Sequence, residues 1–534
     1  MNSYFSSVFT HEPPQNIPPV PNSNFPQMPP IHIAAEGIVK IIDGLKTSKA
    51  PGPDGIPAKF LKSTKESSSL FLQVIFEQSL TTGLLPKDWK ISKVVPVFKA
   101  GNRSDPSNYR PISLTCIACK LLEHVIYSHV ASHLDQNNFF FTKQHGFRSG
   151  FSCETQLFEF TTDLHLNMDS SFQTDIIFLD FSKAFDRVPH LRLMSKLSGL
   201  SIDPLVLSWI HCFLTGRSQY TVIDNHPSGT TNVISGVPQG SVLGPLLFLI
   251  FINDLPSGVS STIRLFADDC ILYRRIVTNR DQLSLQNDLH IIERWCSDWL
   301  MQLNVSKCQF MQVSRKRSNI RSAYSLLSNT VTQVQSYRYL GITISSKLTW
   351  SEHILYLASR ASKSLGLIRR SLYLAPPSVR KLAYETFTRT ILDYAAAIWN
   401  PHQAYLINTL EAVQNRAARF ISSNYNRHSS ITSIKSSLNI PPLELRRKIA
   451  RLCLFHKLYY NFPDLRDTLL LAPIRTSRRL FNLLSIQRIH GSTLAFNKSF
   501  LPTAIENWNL LPDYIVNERD ATKFRQALIN HCTE

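Results

Sequence analysis

A mixed α/β fold of three or four subdomains is what the sequence predicts, and three observations predict it. The chain has 534 residues with 43% apolar and 18% charged content, enough to bury several cores and too hydrophobic for wholesale disorder. Short runs of strand-forming apolar residues at 94–98, 175–179, 263–266 and 270–273 end in charged or turn-forming residues. Helical spacing fills the intervals between them and dominates beyond Trp350.

Taken in order, the first stretch carries eight prolines between Pro13 and Pro30, so residues 1–35 are predicted to be an extended tether with order starting near Ile31. Apolar spacing from 38 to 45 is helical, and Lys49-Ala-Pro-Gly-Pro-Asp-Gly55 ends it in a loop. Cys116 and Cys119, with His124 and His129 after them, have the outline of a zinc site, but Ile117, Ala118, Leu121 and Leu122 between them read as an ordinary core helix. The most apolar run, 242–252, contains Gly244 and Pro245 and is far shorter than the ~20 residues that cross a bilayer, so a buried helix or turn is expected and no membrane partner. Ala267-Asp268-Asp269 separates two strands in a hairpin pattern. Apolar residues at 285, 289, 292, 296, 299 and 303 mark an amphipathic helix. The helical pattern is expected to hold through Phe420 and to become less regular afterwards.

Charge narrows the function. The formal net charge is +19, and residues 346–534 hold 26 Lys and Arg against 12 Asp and Glu. Phosphate-rich nucleic acid is the natural partner of such a surface. Nine scattered cysteines behind a start that lacks a signal-peptide pattern lead to an expectation of reduced thiols and an intracellular chain.

A strand that ends at Asp180 and a hairpin carrying Asp268 and Asp269 can bring three carboxylates together. Carboxylates so close raise one another's pKa unless divalent cations neutralise them. Two Mg²⁺ ions ~3.5–4 Å apart suit an in-line displacement at phosphorus, and Mg²⁺ needs few protein carboxylates because water and phosphate complete its octahedron. Each element alone is a turn or a helix cap; their ordered combination, with Ser235-Gly-Val-Pro-Gln-Gly-Ser-Val-Leu-Gly-Pro245 between them, carries the signal.

From about 49 to 341 the chain resembles the reverse transcriptases of non-LTR retrotransposons, especially the jockey-like group. Lys49-Ala-Pro-Gly-Pro-Asp-Gly-Ile56 resembles their entry loop, and Phe98-Lys-Ala-Gly101 with Asn108-Tyr-Arg-Pro-Ile-Ser-Leu114 their fingers motif. Phe178-Leu-Asp-Phe-Ser-Lys-Ala-Phe-Asp-Arg-Val-Pro-His190, Gly236-Val-Pro-Gln-Gly-Ser-Val-Leu-Gly-Pro245 and Phe266-Ala-Asp-Asp269 are similar to motifs A, B and C. Leu303-Asn-Val-Ser-Lys307 resembles motif D, and Tyr339-Leu-Gly-Ile342 the primer-grip turn. Many relatives carry Tyr where Phe266 stands, and either ring fills the space.

The resemblance implies an α/β right-hand polymerase with an α+β palm: an RNA-directed DNA polymerase, acting on an RNA template, a DNA primer or nicked target DNA, and dNTPs. It implies fingers and palm over 36–345, a helical thumb over 346–425 and a basic C-terminal extension over 426–534. Asp180, Asp268 and Asp269, with the backbone carbonyl of Phe181, would hold two Mg²⁺ ions, for which Mn²⁺ is a substitute. Lys99 and Arg110 would meet the triphosphate, Phe185 would be the steric gate beneath the sugar, and Gln239 with Gly240 would line the nucleotide and template side. Lys307 would protonate the leaving pyrophosphate. Arg360, Lys363, Arg369, Arg370, Arg416 and Arg419 would track the primer–template backbone. The resemblance extends through Ile391-Leu-Asp-Tyr394 and Trp399-Asn-Pro401 to a tail over 494–532.

Full elements of this group encode an endonuclease ahead of the polymerase, so the expectation is that nicking is supplied elsewhere. Action in the nucleus after synthesis in the cytoplasm follows from the resemblance. The rival readings are a catalytically idle nucleic-acid-binding remnant of a decayed element, and a host polymerase akin to telomerase or an intron maturase. The retained aspartates disfavour the first, and the entry loop and tail the second. The sequence leaves the oligomeric state open.

Overall fold

The computed structural model of the chain describes residues 1–473 and 482–533. The strands that position the site are β1 (Ile91–Phe98), β2 (Tyr109–Leu114), β3 (Gln173–Leu179), β4 (Arg217–Ile223), β5 (Thr262–Phe266), β6 (Asp269–Ile276), β7 (Gln309–Val313) and β8 (Thr332–Val334). One mixed sheet sets β2 antiparallel and β4 parallel to β1. The central sheet runs β8-β7-β3-β6-β5, with β3 antiparallel to both neighbours and β8 parallel to β7.

All seven residues of β3 are buried, which is why its sequence reads as a nearly unbroken apolar run. Successive side chains leave a strand on opposite faces, so Ile177 and Leu179 enter one core and Ile176 and Phe178 another. The first core is closed by helices Ile117–Gln136, Leu243–Ile252 and Asn279–Asp298; the second by Cys153–Asp169, Ser351–Ser371, Ala404–Ser422 and Leu443–Asn461. The central sheet is thus the shared floor of both halves.

Local chemistry explains the elements around it. Helix Leu243–Ile252 is buried along its whole length. Its Pro245 falls in the first turn, where the missing N–H costs nothing, and buried Glu123 caps it by accepting from Val242 N at 2.7 Å and Leu243 N at 3.0 Å. Cys116 and Cys119 are buried at the start of Ile117–Gln136, while His124 and His129 are exposed on another face, so the core-helix reading of that segment fits. Among the described residues no helix is long and apolar enough to cross a membrane.

Two stretches differ from the sequence expectation. Residues 1–35 open with a short helix, Asn2–Ser7, and run on without helix or strand to Ala34, yet they are strapped down rather than free: Phe5, Met28 and Ile33 are buried, Glu12 pairs with buried Arg192 at 2.9 Å, and Ser23 and Met28 donate backbone bonds to Gly199 and Ser201. Prolines fixed the backbone, and a few apolar anchors fixed its place. Beyond Phe420 the described residues between Leu469 and Leu494 form no helix or strand, as a less regular pattern implies, but Leu443–Asn461, Phe500–Asn509 and Ala521–Thr533 are helices packed together. Residues 474–481 and 534 of the basic 426–534 region lie outside the described ones.

Candidate active site

The register of the central sheet assembles the carboxylates. Leu179 of β3 faces Cys270 of β6, so the next step brings Asp180 opposite Asp269. Phe266 pairs with Asp269, leaving Ala267 and Asp268 as a two-residue turn. Beyond Asp180 the chain crosses the motif D segment: Phe181 bridges Leu303, Asn304 N donates to the Asp180 carbonyl at 2.7 Å, and Ser182 N to Gln302 at 2.7 Å. Those bonds come from the residues flanking the bridge, so the Phe181 carbonyl is not used by it.

Crowding shows in the acid–base properties. Burial first, then the charges of Asp268 and Asp180, push the Asp269 carboxyl up to about 6, although it opens onto solvent at the surface. Burial and the Asp180 charge raise Asp268 as well. The charges of Lys99 and Arg110 work against both shifts, which places these two exposed cations on the same cleft as the aspartates. They lie at the loop end of the β1–β2 hairpin, where Phe98 pairs with Tyr109 and Lys99 N donates to the Asn108 carbonyl at 2.8 Å. Lys307 closes a single 3₁₀ turn, Val305–Lys307, and its Nζ lies 3.7 Å from Asp180 Oδ2.

Among the described residues no three acidic, His or Cys side chains converge into a ready-made metal cage. Three mutually repelling carboxylates on one hairpin and one strand end still suit a hard divalent cation, which takes one or two carboxylates and completes its shell with water and phosphate. The donor set therefore fits such ions.

The motif B loop docks on motif A through its glycines. Gly236 has φ +88°, and a Cβ there would lie 2.7 Å from the Asp186 carbonyl. Gly240 has φ +116°, and a Cβ there would lie 2.6 Å from the Ser113 carbonyl of β2, while Ser113 N donates to the Gln239 carbonyl at 2.7 Å. Gly240 itself is exposed. Gln239, expected to line the nucleotide and template side, turns its amide inward and donates to Asp186 Oδ1 at 2.8 Å. Asp186 is pushed up to about 6 by burial, and the Gln239 hydrogen bond opposes that shift. Phe185 is half-buried, stacked on Phe248 with ring centroids 4.4 Å apart, and meets Phe147 edge-on at 6.1 Å.

Sequence reading missed the supports of the turn. Ala267 has φ +55°, a left-handed conformation unfavourable for a residue with a Cβ. Buried Gln144 holds it: its Oε1 accepts from Ala267 N at 3.0 Å and from Gly146 N at 2.8 Å. A Cβ on Gly146 would lie 2.4 Å from Ala267 N, so only glycine lets the 144–148 segment lie against the turn. Behind the hairpin, buried Arg264 of β5 pairs with Glu159 and Asp163 of helix Cys153–Asp169. Tyr337 stacks flat on Phe178 at 3.7 Å, close enough that Asp269 and Asp180 raise its pKa after burial has done so. The only sequence cue to the first of these was a glycine between His145 and Phe147.

Comparison with known proteins agrees with this geometry. Residues 97–344 match the family described as reverse transcriptase (RNA-dependent DNA polymerase). The chain is 29% identical over 403 residues to a probable RNA-directed DNA polymerase from transposon BS of Drosophila melanogaster, covering 73% of this chain and 44% of that protein. It is 27% identical over 405 residues to the RNA-directed DNA polymerase from mobile element jockey of the same organism, with 73% and 44% covered. To the probable polymerase from transposon X-element it is 28% identical over 395 residues, with 72% and 43% covered. The chain thus spans less than half the length of these relatives. Residues 97–344, which hold all three aspartates in the order and register described, belong to the reverse transcriptase family, in a chain similar to the polymerases of jockey-like non-LTR retrotransposons.

Proposed function

We propose that this chain is an RNA-directed DNA polymerase that extends a DNA primer, or the 3′ end of a nicked target, on an RNA template with dNTPs. The observation that carries it is the register that sets Asp180 against Asp269, with Asp268 in the turn between β5 and β6 and Lys99 and Arg110 facing them. Asp180, Asp268 and Asp269, with the Phe181 carbonyl, are the residues that would hold divalent cations. When bound, two such ions supply activation of a 3′-hydroxyl and neutralisation of phosphate charge.

The chain's own residues do the rest. Lys99 and Arg110 offer fixed positive charge to a triphosphate entering at the loop end of that hairpin. Lys307, beside Asp180, has a proton to give to a departing phosphate oxygen. Phe185 presents an apolar ring where the sugar of that nucleotide lies. In this reading residues 36–345 are fingers and palm, 346–425 the thumb, and 426–534 a basic extension, and the enzyme works inside the cell on nuclear DNA.

Primer extension on poly(rA)/oligo(dT) in Mg²⁺ tests the proposal. The chain should extend the primer with dTTP, and Asp268→Asn, which removes charge and little volume, should lower the rate by several orders of magnitude while template binding persists. Equal rates for the two proteins would sink the assignment.

A further inference from the structure

Phe147 holds a conformation that the packing of its own ring does not explain. Its φ is +54°, a region that bulky L residues rarely adopt, yet its ring is 53% exposed. A strained backbone persists only where its surroundings over-determine it. Here they do so from both sides. Ahead of it, Gln144 Oε1 accepts from Gly146 N, His145 N donates to the Leu265 carbonyl at 3.0 Å, and His145 Nδ1 lies 2.9 Å from Thr155 Oγ1. Behind it, Arg148 is held between the Phe140 and Phe151 rings, 5.1 and 4.8 Å from their centroids, with Asp135 at 3.5 Å. The clamped segment displays one thing, an aromatic ring.

The place of that ring is equally specific. Gly146, its neighbour, lies against Ala267 of the catalytic turn, and the Phe147 ring stands edge-on to Phe185 with planes 75° apart. Phe185 in turn rests on Phe248. Two rings at nearly a right angle form an apolar corner beside the carboxylates. Such a corner accepts a C–H face and leaves a hydroxyl without a hydrogen-bond partner.

We propose that Phe147 is a substrate-contacting residue, its ring forming the second wall of a slot for the incoming nucleotide's deoxyribose, of which Phe185 is the first. The inference rests on the polymerase reading above and extends it to a residue outside the motifs that identified it. Phe147 acts with Phe185 to exclude the 2′-hydroxyl, so either ring alone discriminates less than the pair.

The test is kcat/KM for dTTP and UTP on one poly(rA)/oligo(dT) substrate, for the parent, Phe147→Asn, Phe147→Tyr and Phe185→Ala. Asparagine tolerates left-handed backbone, so Phe147→Asn keeps the loop while removing the wall. Its Tm should equal or exceed the parent's, and its dTTP-to-UTP preference should fall at least about fivefold, chiefly through better use of UTP. Phe147→Tyr should restore the preference. An unchanged ratio in folded Phe147→Asn, with Phe185→Ala shifted, overturns the role of Phe147 and leaves the polymerase reading standing. A parent chain that extends no primer overturns that reading, and this inference with it.

Discussion

Asp269 carries the cost of the site. Its carboxyl is raised from 3.8 to about 6 in the folded chain, so between those pH values the folded form holds a proton that the unfolded form has released. Stability therefore falls as pH rises from about 4 through 6 and stays lower above it. Asp269→Asn should abolish polymerisation yet raise the Tm in EDTA at pH 7.5, with the gain shrinking toward pH 4.5; a gain that is flat with pH would contradict the charge explanation. Phe185 is a harder residue, because it both faces the slot and stacks on Phe248. A 2′-hydroxyl buried against it without a partner costs ~1–3 kcal/mol. Phe185→Ala should thus raise UTP use relative to dTTP at least about tenfold while also lowering the Tm; parallel loss of both substrates would make it an anchor only. The aspartates were legible in sequence because a strand end and a hairpin have fixed periods. Gln144 and Asp186 were not, because their roles consist of accepting hydrogen bonds from groups far along the chain, Gln144 from Ala267 N and Asp186 from the Gln239 amide.

At the scale of elements, the turn between β9 (Ser336–Tyr339) and β10 (Ile342–Ser345) shows how the helical half is fastened to the sheet. Tyr339 pairs with Ile342, and both turn residues have positive φ, +43° at Leu340 and +87° at Gly341. A Cβ on Gly341 would lie 2.7 Å from the Tyr394 ring, whose hydroxyl donates to the Leu340 carbonyl at 2.8 Å. Gly341→Ala must therefore push Tyr394 aside as well as strain the turn. It should weaken primer–template binding, measured by fluorescence anisotropy, more than it lowers kcat, whereas Tyr394→Phe, which removes one hydrogen bond, should cost only about 0.5–1.5 kcal/mol of stability. A Gly341→Ala variant that binds duplex normally would detach this turn from primer handling. Sequence reading found β1, β3, β5, β6 and the helix Asn279–Asp298 because their apolar periods are clean, but it named none of β2, β4, β7 and β8 and carried the helix too far, since Trp299 is its C-cap and Leu303 bridges Phe181. It missed the order after Phe420 because helix Leu443–Asn461 buries Arg447 and Arg451, which break the apolar stripe that a pattern search follows. Likewise, prolines in 1–35 report backbone shape and say nothing of the pockets that Phe5 and Met28 fill.

For the whole molecule, the proposed function turns on where its excess positive charge would meet nucleic acid. Removing residues 346–534 is no clean test, since Ile354, Leu357, Leu410 and Phe455 share a core with Phe178, Ile271 and Met311 of the central sheet, and deletion would remove much of what now covers that face beside helix Cys153–Asp169. Nor are all the basic side chains of the helical region available. Arg419 donates to the carbonyls of Asn424, Asn426 and Ser429, and Arg416 to Ser362, so both serve the fold. Arg360, Lys363, Arg369 and Arg370 of helix Ser351–Ser371 are exposed, and Arg369 and Arg370 line a groove with Tyr373 and Tyr425. Charge that binds phosphate releases counterions, and each contact steepens the salt dependence of binding by about 0.7–0.9 in log K against log [salt]. Changing these four residues to Gln should leave the Tm within a few degrees, weaken binding to an RNA–DNA duplex at 0.1 M salt, and reduce the slope by up to about 3. Binding titrations between 50 and 300 mM NaCl decide it. An unchanged slope would move the duplex to another face of the molecule, and a slope that falls by only about 1 would leave a single one of these side chains on the phosphate backbone.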